Sequence, residues 1–362
     1  MSKFIKGMEL CESFFTDCAR AIIEDNFPDM IYSAGLIGYG SDVLGYDDAV
    51  STDHMWGPRF YLFLSLADIE KKDKIFSALS KNFPYRYKGY SVNFTKPDPN
   101  DCGVRHPEFI SEGNGSPLIF IQTFEDYLLD QLGISDLNNI KPYEWLAFSE
   151  HRLLSLVSGK FFVDRLNCTE VISHIKYYPN DVRLYLIASN WEIIAAEQAF
   201  FKRCGQCGDA VGSRIICSRI CERLMRLCFL YKGVYAPYSK WFGTAFGRLN
   251  IDDKIKQAIS GALSADDLTD REDKIIEAQT LIADLHNSSG LTETVNYKAE
   301  SYFGRDIKVI FAEKFSEAAA KKLKGTEFEN MPLIGTLSQI GGISSIADEK
   351  KFYKQIIGLY MS

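Results

Sequence analysis

The stretch GLIGYGSDVLGYDDAVSTDHMWGPRFYLFL, residues 35–64, decides the reading of this chain. An apolar run ends in Gly40 and Ser41, acids follow at Asp47, Asp48 and Asp53, and RFYLFL then reads as a strand apolar on both faces, hence central in a sheet. A glycine lets main-chain N–H groups approach a phosphate closely, and the serine hydroxyl adds a donor. Carboxylates two apart on a strand point to one face and can hold Mg²⁺. A third carboxylate on a later strand would complete a two-metal clamp for in-line phosphoryl transfer. Asp53 fits the first carboxylate. Strand alternation puts Met55 on the same face, and a thioether is no ligand for Mg²⁺. The later strand, PLIFIQTF at 117–124, carries no acid, so Asp47 and Asp48 are the replacement metal ligands within reach. The competing reading of GYDDAVSTD is a solvated turn capping a strand.

Working outward, residues 9–27 place Leu10, Phe14, Cys18 and Ile22 at helical spacing. MIYSAGLIGYG reads as a strand, ADIEKKDKIFSALSKNF as a helix, YKGYSVNFT as a strand, and EDYLLDQLG as a helix after PLIFIQTF. The Pro-, Gly- and Asn-rich segment between them is a loop. This alternation predicts an α/β (α+β) domain with a mixed sheet over residues 1–135. From residue 136 to 362 long helical patterns dominate, led by PNDVRLYLIASNWEIIAAEQAFFKRC, GDAVGSRIICSRICERLMRLCFLYKGVY and ADDLTDREDKIIEAQTLIADLHNSSG, which predicts an all-α helical-bundle domain.

A chain of 362 residues can bury two or three cores, and 46% hydrophobic with 25% charged residues is ordinary globular composition. A net charge of −7 argues against a dedicated nucleic-acid binder. No apolar run reaches the roughly 18 residues of a membrane span, and MSKFIKGMELCESFF lacks a signal-peptide core, so the expected location is cytoplasmic. Nine cysteines do not suit a disulfide framework. Cys204, Cys207, Cys217 and Cys221 could form a four-cysteine zinc site, but the second pair lacks knuckle spacing, and buried thiols are the simpler reading. His106, His151, His174 and His286 show no metal-ligand spacing and read as surface or capping residues.

In the helical region, KRCGQCGDAVGSR gathers Arg203, Asp209, Ser213 and Arg214 around a glycine-rich break. Asp209 suits a helix N-cap, while a helix start with flanking arginines also suits a phosphate. YAPYSKWFGTAF adds Lys240 beside Tyr238 and Trp241, either a stacking site for a base or sugar or simply core. Glu197 and Asp209 are the carboxylates available as general base.

The string GYGSDVLGYDDAVSTDHMWGPRFYLFL resembles the signature of domain of unknown function 4037, an uncharacterised bacterial family of the nucleotidyltransferase-fold superfamily. IFIQTFEDYLLDQLG, YYPNDVRLYLIASNW, RCGQCGDAVGSRIICSRICERLMRL, YAPYSKWFGTAFGRL and ADLHNSSGLTE extend the resemblance over about residues 35–310. It implies a nucleotidyltransferase-like domain followed by a helical substrate-binding domain. Some relatives carry Asp-His-Asp at positions 53–55 and a Glu near Phe120, and this chain departs from both. Two expectations follow. In the first, a nucleoside monophosphate passes from an NTP to a small-molecule acceptor. Gly40 and Ser41 would hold the triphosphate, Asp53 with Asp48 or Asp47 would bind Mg²⁺, and Arg203, Asp209 and Lys240 would position the acceptor. In the second, a pseudoenzyme binds a nucleotide or metabolite without the full carboxylate set. A partner-binding scaffold, a homodimer among its forms, is a third reading.

Overall fold

The computed structural model of the chain describes residues 4–52, 55–113, 115–341 and 353–360. Helix α1 (Gly7–Phe14) runs through a π-helical turn, Phe15–Ala19, into α2 (Arg20–Asn26). There follow β1 (Tyr32–Leu36), β2 (Arg59–Leu64), α3 (Lys72–Asn82), β3 (Arg86–Tyr87), β4 (Tyr90–Ser91), β5 (Leu118–Gln122) and α4 (Phe124–Leu132). Next come α5 (Pro142–Ala147), α6 (Glu150–Val157), β6 (Lys160–Asp164) and α7 (Cys168–Ser173). Long helices then take over: α8 (Asn180–Glu197), α9 (Phe200–Gln206), α10 (Ala210–Lys232), α11 (Ser239–Arg248), α12 (Asp253–Ser264) and α13 (Leu268–Ser288). The described remainder holds β7 (Glu300–Ser301), β8 (Lys308–Val309), α14 (Glu313–Lys321), α15 (Leu337–Gly341) and α16 (Tyr353–Tyr360). The chain divides into two compact units, Met1–Asn139 with Arg152–Lys176, and Ile140–His151 with Tyr177–Ser362.

The first unit is built on a mixed sheet of order β5-β2-β1-β6. β1 is antiparallel to β2 and β6, and β2 is parallel to β5. Alternation along β2 sends Phe60, Leu62 and Leu64 into a core with Phe14, Phe15 and Ile23 from the N-terminal helices and Ile75 and Leu79 from α3. Its other face carries Arg59, Tyr61 and Phe63. There Tyr61 stacks on Phe120 at 4.7 Å between ring centroids, and Phe63 meets Phe124 at 5.1 Å. Both faces are covered, as the unbroken apolar run of β2 predicts.

Two details differ from the sequence expectation. YKGYSVNFT is not one strand: Lys88 and Gly89 both take positive φ, which makes a tight hairpin of β3 and β4. The sheet also gains its fourth strand, β6, from beyond residue 135. That segment is partly exposed and follows a helical pattern without an intervening Pro or Asn signal, so little in it announces a strand.

In the second unit α8 packs on α10 and α14, and α12 on α13. After β8 the chain turns at Phe311 and becomes helical at Glu313. His286, expected at the surface or in a cap, lies in the core. Trp191 Nε1–H donates to the Tyr231 hydroxyl at 2.8 Å, that hydroxyl reaches His286 Nδ1 at 2.8 Å, and His286 Nε2 reaches Thr292 Oγ1 at 2.7 Å. Burial holds the His286 imidazole down at about 4, so it is neutral at pH 7. Cys217, Cys221 and Cys228 are buried as expected, whereas Cys204 is half-buried and Cys207 exposed. Among the described residues no helix is long and apolar enough to cross a membrane.

Candidate functional site

The turn after β1 is shaped by two glycines with left-handed backbone, Gly38 at φ +90° and Gly40 at φ +120°. A Cβ on Gly40 would lie 2.1 Å from Asp42 Oδ1 and 2.6 Å from Arg59 Nη2, so only glycine fits. Beneath the turn Asp42 and Arg59, 2% and 1% exposed, form an ion pair. Nη2 lies 2.8 and 2.9 Å from the two carboxylate oxygens and 3.1 Å from the Tyr39 carbonyl. The guanidinium also sits 4.5 Å from the centre of the Tyr39 ring. Arg59 Nε and Nη1 are buried with no hydrogen-bond partner among the described residues. The main-chain N–H groups of residues 39–42 likewise donate to no protein acceptor among the described residues, while those of Val43, Leu44 and Asp47 are satisfied within the loop. Sequence reading missed the Asp42–Arg59 pair. Its signal was a lone cation opening an otherwise apolar strand, with an acid one residue past the Gly-Ser pair.

The acids read as metal ligands have separate roles. Asp47 is buried, and its Oδ2 accepts the Gly7 N–H at 2.7 Å and Trp56 Nε1–H at 3.3 Å. Its Oδ1 lies 3.3 Å from the Lys6 ammonium, which also donates to the Asp47 carbonyl. It therefore anchors the start of α1, and its charge is already answered. Asp48 is exposed, and its Oδ1 accepts the N–H groups of Val50 and Ser51, each at 2.9 Å, closing a local turn. Those bonds, Ser51 first, hold its carboxyl below the ordinary range. Asp53 lies outside the described residues. Met55 sits in a left-handed bend, φ +48°, ahead of β2, so strand alternation does not govern it. Phe120, at the position expected to carry an acid in some relatives, is locked between Tyr61 and the edge of Tyr39. Among the described residues no three His, Cys, Asp or Glu side chains converge as a metal site.

In the second unit the expected acceptor residues separate. Asp209 is the N-cap of α10, accepting the Gly212 N–H at 2.8 Å. Arg203 is exposed on α9, one turn before that cap. Glu197, at the end of α8, is paired with Arg219 through both guanidinium Nε, at 3.1 Å, and Nη2. Arg214 pairs with Asp266 at 2.9 Å. Lys240 is exposed on α11, its ammonium 5.1 Å from the centre of the Trp241 ring. α11 meets the far end of α10, where Phe242 stacks on Phe229 at 5.5 Å. At a rise of about 1.5 Å per residue, Phe229 lies about 30 Å along α10 from Asp209. Arg203 and Asp209 therefore do not share a site with Lys240.

A cavity of about 310 Å³ opens beside α11, between the start of α6 and the α10 residues Glu222, Met225 and Arg226. Arg226 joins two carboxylates there, Glu150 Oε2 at 3.4 Å through Nη1 and Glu222 Oε1 at 2.9 Å through Nε. Glu150 Oε1 accepts the Ala236 N–H at 3.0 Å. Burial raises the Glu150 carboxyl, and Arg226 opposes the rise. Tyr238 and His151 complete the rim, their rings 4.6 Å apart.

Residues 145–242 match the model of the family Domain of unknown function (DUF4037). The DUF4037 segment contributes every residue lining that cavity except Gly243 and Ser338. The Gly-Ser turn lies N-terminal to it. No curated protein matches the chain. Among solved structures, the crystal structure of a nucleotidyltransferase-like protein from Exiguobacterium sibiricum 255-15 is similar at 15% identity, covering 85% of this chain and 86% of that one, with a TM-score of 0.32. A score that low supports no argument about function.

Proposed function

We propose that this is a nucleotidyltransferase-like protein that binds a nucleoside triphosphate on the turn at residues 39–42, without the full set of metal carboxylates. The observation that carries this reading is the run of unspent main-chain N–H groups there, set by left-handed Gly38 and Gly40. Successive N–H groups in such a turn make a concavity for anionic oxygens. The Asp42–Arg59 pair stiffens the turn from below and is internally neutral, so the attraction comes from main-chain dipoles and the Ser41 hydroxyl. The described side chains do not fit a two-metal clamp: Phe120 is aromatic and packed, Asp47 is spent on α1, and Asp48 Oδ1 closes its own turn. Binding should therefore not depend on Mg²⁺.

Transfer of a nucleoside monophosphate to a small-molecule acceptor is the second reading. It is favoured by Asp48, whose exposed, ionised carboxylate leaves one hard ligand near the turn. Isothermal titration of the four common NTPs, in Mg²⁺ and in EDTA, separates the two. Binding of at least one NTP that persists in EDTA supports the first. Binding only with Mg²⁺, with pyrophosphate release abolished by Asp53→Ala, supports transfer. No NTP binding in either buffer overturns both.

A further inference from the structure

Cys204 and Cys207, which bracket the sequence CGQC, take no part in the nucleotide reading. Cys204 is half-buried and Cys207 exposed, whereas the other closely spaced pair, Cys217 and Cys221, is buried beyond a reagent's reach. We infer that Cys204 and Cys207 are a dithiol site, closed to an intramolecular disulfide by a small-molecule disulfide and reopened by thiols. Both lie on the last turn of α9. The Cys207 N–H donates to the Arg203 carbonyl at 3.2 Å and to the Cys204 carbonyl at 3.1 Å, so the turn holds through residue 207. Helical positions three apart have Cα atoms about 5 Å apart, inside the roughly 4.4–6.8 Å that a disulfide spans. Their Cβ atoms start about 5–6 Å apart and must close to about 4 Å. Cys204 sits on the fixed side, because a Cβ on the adjacent Gly205 would lie 2.5 Å from Leu268 Cδ1 of α13. Cys207 can supply the movement. Its backbone, φ −86° and ψ 6°, has left the regular helix, and left-handed Gly208 beyond it has open space where a Cβ would sit. Arg203, four residues before Cys207 on the same helix face, is exposed and would draw in an anionic disulfide such as oxidised glutathione. The exposed Cys207 thiolate displaces one half of the disulfide RSSR, forming Cys207–S–S–R and releasing RS⁻. The Cys204 thiolate then attacks the Cys207 sulfur and expels the second RS⁻. The two cysteine protons pass to the departing thiolates, so two cysteines are oxidised as one RSSR becomes two RSH.

Trypsin cleavage after Arg203 and Arg214 releases CGQCGDAVGSR, which holds these two cysteines and no other. The full, folded chain is equilibrated with excess oxidised glutathione, its remaining thiols are blocked with N-ethylmaleimide, and the digest is read by mass spectrometry. The peptide is expected to be unlabelled and two hydrogens lighter than the dithiol. Treatment with dithiothreitol before blocking should restore two labels. Cys204→Ser should stop with glutathione held on Cys207, and Cys207→Ser should lose the internal disulfide altogether. The wild-type peptide is decisive whether or not these variants fold. Two labels retained in excess oxidised glutathione, glutathione held on one cysteine without closure, or a disulfide from either cysteine to any other thiol of the protein would overturn the assignment.

Discussion

Arg59 is the residue whose surroundings say most about the first unit. It opens the central strand, is almost wholly buried, and is matched by a single carboxylate, Asp42. Removing one partner of such a pair strands a charge in the interior. Arg59→Met is expected to cost about 3–5 kcal/mol in denaturant unfolding, and Asp42→Asn combined with Arg59→Met distinctly less. A double variant that costs the sum of the two single variants would show that the pair is not coupled. The neighbouring acids show how far residue-scale reading reaches. Asp47 and Asp48 are adjacent in sequence, yet one is buried under Trp56 and Gly7 while the other is in solvent. Nothing in GYDDAV distinguishes them, because the difference arises from the distant start of α1. The absence of an acid on LIFIQ was legible directly, but the aromatic stack that fills its place depends on the β2–β5 register.

At the scale of elements, the signals that worked were local. Asp209 before an apolar-periodic run is an N-cap, and it caps α10. Asp209→Ala should lower stability by about 0.5–2 kcal/mol with NTP binding unchanged, measured by urea unfolding alongside titration. An unchanged midpoint would deny the cap its role. The central strand β2 was likewise legible from its apolar run. What failed was tertiary. β6 is a strand because β1 offers it an edge, with Ser33 paired to Asp164, and KFFVD alone does not announce that. The Tyr238–Trp241 group, read as either a stacking site or core, opens a helix whose Phe242 packs against Phe229. Joining Arg203 and Asp209 to Lys240 failed because a 23-residue helix separates them.

For the whole molecule, composition and the break in pattern near residue 135 indicated a mixed sheet and then an all-α region. The mixed sheet and the long helices are observed, but β6, β7 and β8 lie past that break, so the later region is not all-α. The buried His286 gives the fold a pH dependence. Its folded-state value, about 4, lies below the ordinary imidazole value of 6.5, so the unfolded chain binds the proton more tightly. The stability tied to the neutral ring is fully present above about pH 6.5 and falls as pH drops from there toward about 4, by on the order of 3 kcal/mol in total. Unfolding free energies between about pH 8 and pH 4 should show this slope, and His286→Gln should flatten it. A slope unchanged in that variant would assign it to other groups.

Triphosphate binding by the main-chain N–H groups of the turn after β1, without a metal clamp, is tested most directly by amide hydrogen exchange. The full chain is compared in EDTA with and without the NTP that binds best. Exchange at residues 39–42 is expected to slow on adding nucleotide, with the second unit's cavity unaffected. Nucleotide binding that leaves those four amides exchanging as before would contradict it.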